Sequence, residues 1–353
     1  MPPIKIFAPR QFDLPSALEF SAQLAALPDN PEFEIDFSKV GLVEPFPMLL
    51  IASELRKLNA RRPEPEITCS GVEHMTYAAH MGFFQCFGLA HGNAPGQARG
   101  GATYLPITVF DTEEVEREAA ISGIEVGSHI EATSQNLSRL LCQGGEGPLF
   151  DTLTYSIREI MRNAVEHSKA DRFDICAQYW PSNKRVEVAI LDRGIGLRAT
   201  LARNPHIDVS DDKKAINFAL MPAISGRAFK GSKIQKKGNW TNSGFGLYMT
   251  NRICRNGGTF FIASGNSSML LTKSGGKRYY DCAIEGTAVR MVIDTSNLSD
   301  LRDALERYRA DGYEFQKKYR EIVDIDPSSA SLMLTEDFDV SVVDRILSRL
   351  KLR

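Results

Sequence analysis

Glu159 and Asn163 stand one helical turn apart in the stretch 155–168, YSIREIMRNAVEHS. The apolar residues Ile157, Ile160, Met161, Ala164 and Val165 recur at three and four, which predicts a helix with one buried stripe. Residues four apart on a helix share an edge, so the carboxylate and the amide project side by side. An amide oxygen placed there can ligate the Mg2+ of a metal-bound triphosphate, and the carboxylate can polarise a nucleophile. Taken alone the pair is weak, because an exposed Glu and a helix Asn are ordinarily solvated surface.

Two later stretches change that weighting. Residues 186–197, VEVAILDRGIGL, predict a strand broken into a tight loop at Asp192-Arg193-Gly194-Ile195-Gly196. Glycines there let a ligand approach the backbone, and a carboxylate at a strand end accepts a hydrogen bond from an exocyclic amine. Residues 242–256, NSGFGLYMTNRICRN, predict a glycine-flanked turn running into a helix. Backbone N–H groups at such a helix start form an anion site suited to phosphates. A lone GxG means little. An ordered set is specific: E-x-x-x-N on a helix, D-x-G-x-G at a strand end, a long polar segment, then S-G-x-G-L opening a helix.

This set resembles the GHKL ATP-binding fold shared by DNA gyrase B, Hsp90, the MutL mismatch-repair proteins, histidine kinases and anti-sigma-factor serine kinases. The resemblance covers residues 103–296 and implies an α/β sandwich, a mixed sheet with helices on one face. It implies ATP and Mg2+ as cofactors, with Asn163 holding the metal, Asp192 reading the adenine amine, and Gly194 and Gly196 shaping the nucleotide loop. Ser243, Gly244, Phe245, Gly246 and Leu247 would meet the phosphates, and Thr287, after Gly286, would assist at the adenine. Residues 198–243 would form the lid. Arg227, Lys230, Lys233, Lys236 and Lys237 give it a basic, glycine-punctuated run able to neutralise a triphosphate, though a solvated basic loop has the same look.

The position four before the metal asparagine separates branches of that superfamily. A carboxylate there, Glu159 here, is the general base implied for gyrase B, MutL and the anti-sigma kinases. Sensor histidine kinases usually lack it, and no histidine of this chain sits in an H-E-x-[KR]-x-P context. Local packing is expected of His167. The leading expectation is an ATP-binding regulator like the anti-sigma serine kinases, acting by phosphoryl transfer or slow hydrolysis on association with a STAS-like protein partner. An ATP-sensing module without turnover comes next. A dimerising ATPase of the gyrase and MutL kind, hence a homodimer, comes last, because residues after 295 are few for a transducer domain.

A chain of 353 residues suggests two domains. Before residue 90, strand-like stretches at 4–8, 33–37 and 67–70 alternate with helix-like ones at 16–27, 47–58 and 75–89, an α/β pattern in which each domain would bury its own core. DFSKVGLVEPFPMLLIASELRKLNAR and MGFFQCFGL resemble a STAS domain over residues 1–90. That family carries a phosphorylatable serine where this chain reads Glu44-Pro45-Phe46-Pro47, so the resemblance implies the shape without the switch. Residues 91–102, HGNAPGQARGGA, read as a linker, and 297–353 as a helical extension. Net charge is -2 and the pI about 6.3, so nothing points to nucleic acid. The six cysteines are scattered without C-x-x-C, which suits a reducing cytoplasm and argues against zinc. No apolar run reaches the ~18 residues of a membrane span, and MPPIKIF predicts no signal peptide.

Overall fold

A computed structural model describes residues 3–28, 32–61, 67–98, 100–101, 103–142, 144–227, 229, 244–273, 275–298, 303, 306–308, 310–312 and 314–315. In the first half, β1 (Ile4–Phe7), α1 (Leu14–Ala25), β2 (Phe33–Asp36), α2 (Pro45–Ala60) and β3 (Thr68–Ser70) follow one another. The strands form a parallel sheet in the order β1-β2-β3, with the helices as the crossovers that parallel pairing demands. The helix expected over 75–89 is shorter: α3 (Thr76–His80) is followed by turns and a 3-10 turn, Gln85–Phe87. Phe83 and Phe84 are both fully buried. Their rings meet edge to face at 4.9 Å.

The second half runs β4 (Tyr104–Asp111), α4 (Thr112–Ile121), α5 (Val126–Cys142), α6 (Pro148–His167), β5 (Arg172–Trp180), β6 (Arg185–Asp192), α7 (Gly196–Leu201), α8 (Asp212–Ala219), α9 (Gly246–Arg255), β7 (Thr259–Thr272) and β8 (Lys277–Asp294). Its sheet has the order β4-β5-β6-β8-β7 and every neighbouring pair is antiparallel, so the expectation of a mixed sheet is corrected. Short turns join β5 to β6 and β7 to β8, and a tight turn fixes antiparallel pairing.

Both faces of this sheet are covered. Val186, Val188 and Ile190 of β6 face the core beneath α5, α6, α8 and α9, whereas Ala189 and Leu191 join a core shared with α2. Small residues on that second face, Cys176, Ala189, Ala263 and Ala288, let α2 lie close to the sheet. The first half therefore does not close a core of its own, and helices from both halves sandwich the sheet. Nor are residues 91–98 a free linker: Asn93 N–H donates to the Ala79 carbonyl at 3.0 Å and Gly96 N–H to Ile107 at 2.9 Å. The polar glycine-rich composition is satisfied by tertiary contacts.

The join between the halves centres on the start of α2. Pro45 and Pro47 have no N–H to satisfy, and Met48 N–H reaches the Glu44 carbonyl. Phe46 N–H donates at 3.0 Å to Oε1 of Glu187, a fully buried residue of β6, which caps the helix across the interface. Glu187 Oε2 accepts from Arg185 at 2.6 Å and Arg290 at 2.8 Å, and both guanidinium groups also pair with Glu44. In the C-terminal extension, the helical residues among 303–315 dock on α9 through Arg252, which lies over the Tyr308 ring and pairs with Asp311. The rest of that extension lies outside the described residues. Among the described residues no helix is long and apolar enough to cross a membrane.

Glu187→Ala strands Phe46 N–H and removes one partner from a buried arginine, at an expected cost of about 3–5 kcal/mol. Urea unfolding reads that loss, and a change below about 1 kcal/mol would show that the cluster contributes no more than a surface pair.

Candidate functional site

A cleft of about 820 Å3, part of it open to solvent, lies between α6, the end of β6, the middle of β8, α7 and the start of α9. The buried stripe Ile157, Ile160, Met161 and Ala164 fixes the roll of α6 and sets Asn163 on the cleft edge. Register does the same for the far wall: Asp192, the last residue of β6, pairs with Thr287 of β8. Of the sequence-predicted residues, Asn163, Asp192, Gly196, Gly244, Gly246, Leu247 and Thr287 all line this cleft. Ile160, Ala164, Ile190 and Val289 supply an apolar floor.

The Asp192 carboxylate is buried, and its Oδ1 accepts from Gly194 N–H at 2.9 Å. Burial pushes its pKa up from 3.8 to about 6, against the opposing pull of the Gly194 and Thr287 amides and Arg193. Two serines not singled out in the sequence hold the loop. Ser168 accepts from Ile195 N–H through its carbonyl at 2.7 Å, and Ser264 Oγ accepts from Leu197 N–H at 2.9 Å and donates to Gly286 at 2.7 Å. Their only sequence signal is position, at a helix end and mid-strand. Glycine is required twice here. Gly286 has φ +85 and a Cβ would sit 2.1 Å from the Asp192 carbonyl; Gly244 has φ +71 and a Cβ would sit 2.6 Å from the Ile224 carbonyl.

Asn163 Nδ2 is buried at the cleft with no hydrogen-bond partner among the described residues. An orphaned N–H donor costs about 1–3 kcal/mol unless an acceptor, such as a ligand oxygen, reaches it. His167, one turn on, lines the cleft rather than only packing locally. Burial, and then the Arg227 charge, push its pKa down to about 4, so it is neutral at pH 7. Arg227 itself donates to the Glu166 carbonyl at 2.6 Å. Among the described residues no group of three or more His, Cys, Asp and Glu is placed to hold a metal, so a cation here would draw mainly on ligand and water oxygens beside Asn163.

Three predicted residues stand off the lining. Glu159 lies behind it: its carboxylate pairs with Arg158 at 2.8 Å and lies against Gly246, where a Cβ would sit 2.3 Å from Oε2. Gly194 packs under the loop against Ser168, and Phe245 is buried in the core beside Tyr248. Ser243, Lys230, Lys233, Lys236 and Lys237 lie outside the described residues. The part of the expected lid that is described comprises α7, α8 and the turn carrying Ser225, Gly226 and Arg227, of which Ser225 and Gly226 line the cleft. Compared with protein-family models, curated proteins and solved structures, the chain matches none.

A carboxylate whose pKa is raised on folding favours the folded state while protonated, and that advantage is lost as pH rises through about 6. Asp192→Asn removes the titration. Thermal melts should show the variant more stable than wild type above pH 6, by about 1–3 kcal/mol, with the gain gone below pH 4. A variant less stable at pH 8 contradicts the assignment.

Proposed function

We propose that the chain binds a magnesium-chelated adenine nucleotide in this cleft and uses its occupancy to control association with a protein partner. The reading is that of a regulator resembling the anti-sigma-factor serine kinases of the GHKL type, acting in the cytoplasm. One observation carries it: residues from α6, β6, α7, β8 and the start of α9, in the order that resemblance implies, line one cleft with Asp192 directly opposite Thr287. The apolar floor suits a purine ring, and Asp192 accepts from its exocyclic amine. Asn163 would contribute its amide oxygen to Mg2+, which in turn neutralises the phosphates. Residues 244–247, at the start of a ten-residue helix with no side-chain cap among the described residues, would face those phosphates with backbone N–H groups.

The first half is the element of association in this reading. A STAS-like turn would carry a phosphorylatable hydroxyl where Glu44-Pro45-Phe46-Pro47 is capped by Glu187, so switching falls to the cleft. A second reading, an ATP sensor without turnover, is favoured by the Arg158 ion pair, which engages one oxygen of the carboxylate that would act as general base, and by the absence of Glu159 from the cleft lining.

Calorimetry with Mg-ATP tests the binding. Asn163→Ala should abolish the Mg2+-dependent affinity, while Glu159→Ala keeps it. With γ-labelled ATP, label on protein or released phosphate, lost in Glu159→Ala, supports turnover, and retained intact ATP supports the sensor. Binding that is indifferent to Asn163 would refute the site.

A further inference from the structure

Asp192 is the last residue of β6 and Arg193 the first beyond it, and their side chains go to opposite faces of the sheet. Asp192 lines the cleft. Arg193 crosses to α2 of the first half, where its Nε donates to Ser53 Oγ at 3.0 Å and its Nη2 to Glu54 Oε1 at 2.7 Å. Glu54 is 4% exposed, and Arg193 is the partner that offsets its charge. The guanidinium fork thus reads two groups at once on a helix that is itself pinned by Glu187.

We infer that Arg193 is a positioning residue, through which Ser53 and Glu54 of the first half hold the Asp192–Gly196 loop in its ligand-accepting shape. This rests on the nucleotide reading of the cleft. The loop has few other supports: Gly194 N–H bonds the Asp192 side chain, Ile195 N–H the Ser168 carbonyl, and Leu197 N–H Ser264 Oγ. Anchoring one residue between Asp192 and Gly194 restricts the backbone that sets all three bonds. The first half thereby acts on the cleft from the far side of the sheet without touching the ligand. Any partner or contact that moves Ser53 and Glu54 relative to Arg193 changes the fraction of loops competent to bind, and apparent affinity falls with that fraction.

The test pairs two measurements on the full chain: amide hydrogen exchange at Gly194, Ile195 and Leu197 without nucleotide, and equilibrium binding of Mg-ATP. Glu54→Gln should speed exchange at those amides and weaken Mg-ATP about tenfold. Arg193→Lys, which keeps a charge but loses the fork, should fall between it and wild type. Arg56→Gln, which breaks the separate interface pair of Arg56 with Asp174 (2.6 Å), should change neither. Ser53→Ala removes one contact without stranding a charge and should shift exchange in the same direction, which keeps the test available if Glu54→Gln does not fold. Unchanged exchange in Glu54→Gln or, failing that, Ser53→Ala overturns the positioning role, as does an equal effect of Arg56→Gln. Faster exchange in a protein whose wild type binds no Mg-ATP supports the positioning of the loop and overturns the nucleotide reading instead.

Discussion

The alternation of β6 constrains everything around it. Its even-numbered residues from Val186 to Asp192 face one core and then the cleft; its odd-numbered ones from Glu187 to Leu191, and Arg193 just beyond the strand, face α2. A one-residue slip in pairing would send Asp192 to the helix interface and bury Arg193 in the apolar floor of the cleft. Pairing with β8 along the whole strand, from Arg185 opposite Asp294 to Asp192 opposite Thr287, holds that register. The site and the interface between the halves are two faces of one strand.

The energetic character of the two faces differs. On the α2 side, charges are buried but paired: Glu187 with Arg185, Arg290 and Phe46 N–H, and Glu54 with Arg193. Such networks gain little over an apolar core, yet removing one member is costly, so they hold α2 in one place. On the cleft side, polar groups are left wanting. Asp192 is buried without a cationic partner strong enough to offset desolvation, and Asn163 Nδ2 has no partner among the described residues. Other buried polar atoms also lack hydrogen-bond partners among the described residues, including Arg193 Nη1 and Arg290 Nε on the α2 side, but Asn163 and Asp192 line a concave region a ligand could enter.

Sequence patterns picked out α6, the β5–β6 pair and seven of the residues that line the cleft, because their signals are local: a 3.6-residue stripe, strand alternation, and glycines at a turn. What they missed depends on distant partners. α5 was not anticipated, since its buried face includes Ser134 and Ser138, and Ser134 packs against Met161 of a helix far along the chain. Residues 91–102 read as a linker because the hydrogen bonds of Asn93 and Gly96 go to Ala79 and Ile107, distant in sequence. The antiparallel sheet and the covering of its second face follow from how the halves pack, which no periodicity records. Glu159 has the expected spacing from Asn163, but its Oε1 pairs with Arg158 and its side chain lies behind Gly246 rather than in the lining. Ser168 and Ser264 serve through a carbonyl and a hydroxyl in places where serine is unremarked.

The central claim is that a purine nucleotide with its metal occupies this cleft against Asp192, Thr287 and Asn163. A crystal structure of the full chain with Mg2+ and a non-hydrolysable ATP analogue tests it most directly. The account predicts the exocyclic amine within hydrogen-bond distance of the Asp192 carboxylate, the metal on the Asn163 amide oxygen, and the phosphates at the start of α9. An analogue bound elsewhere, or in this cleft with the purine turned away from Asp192 and Thr287, would contradict it.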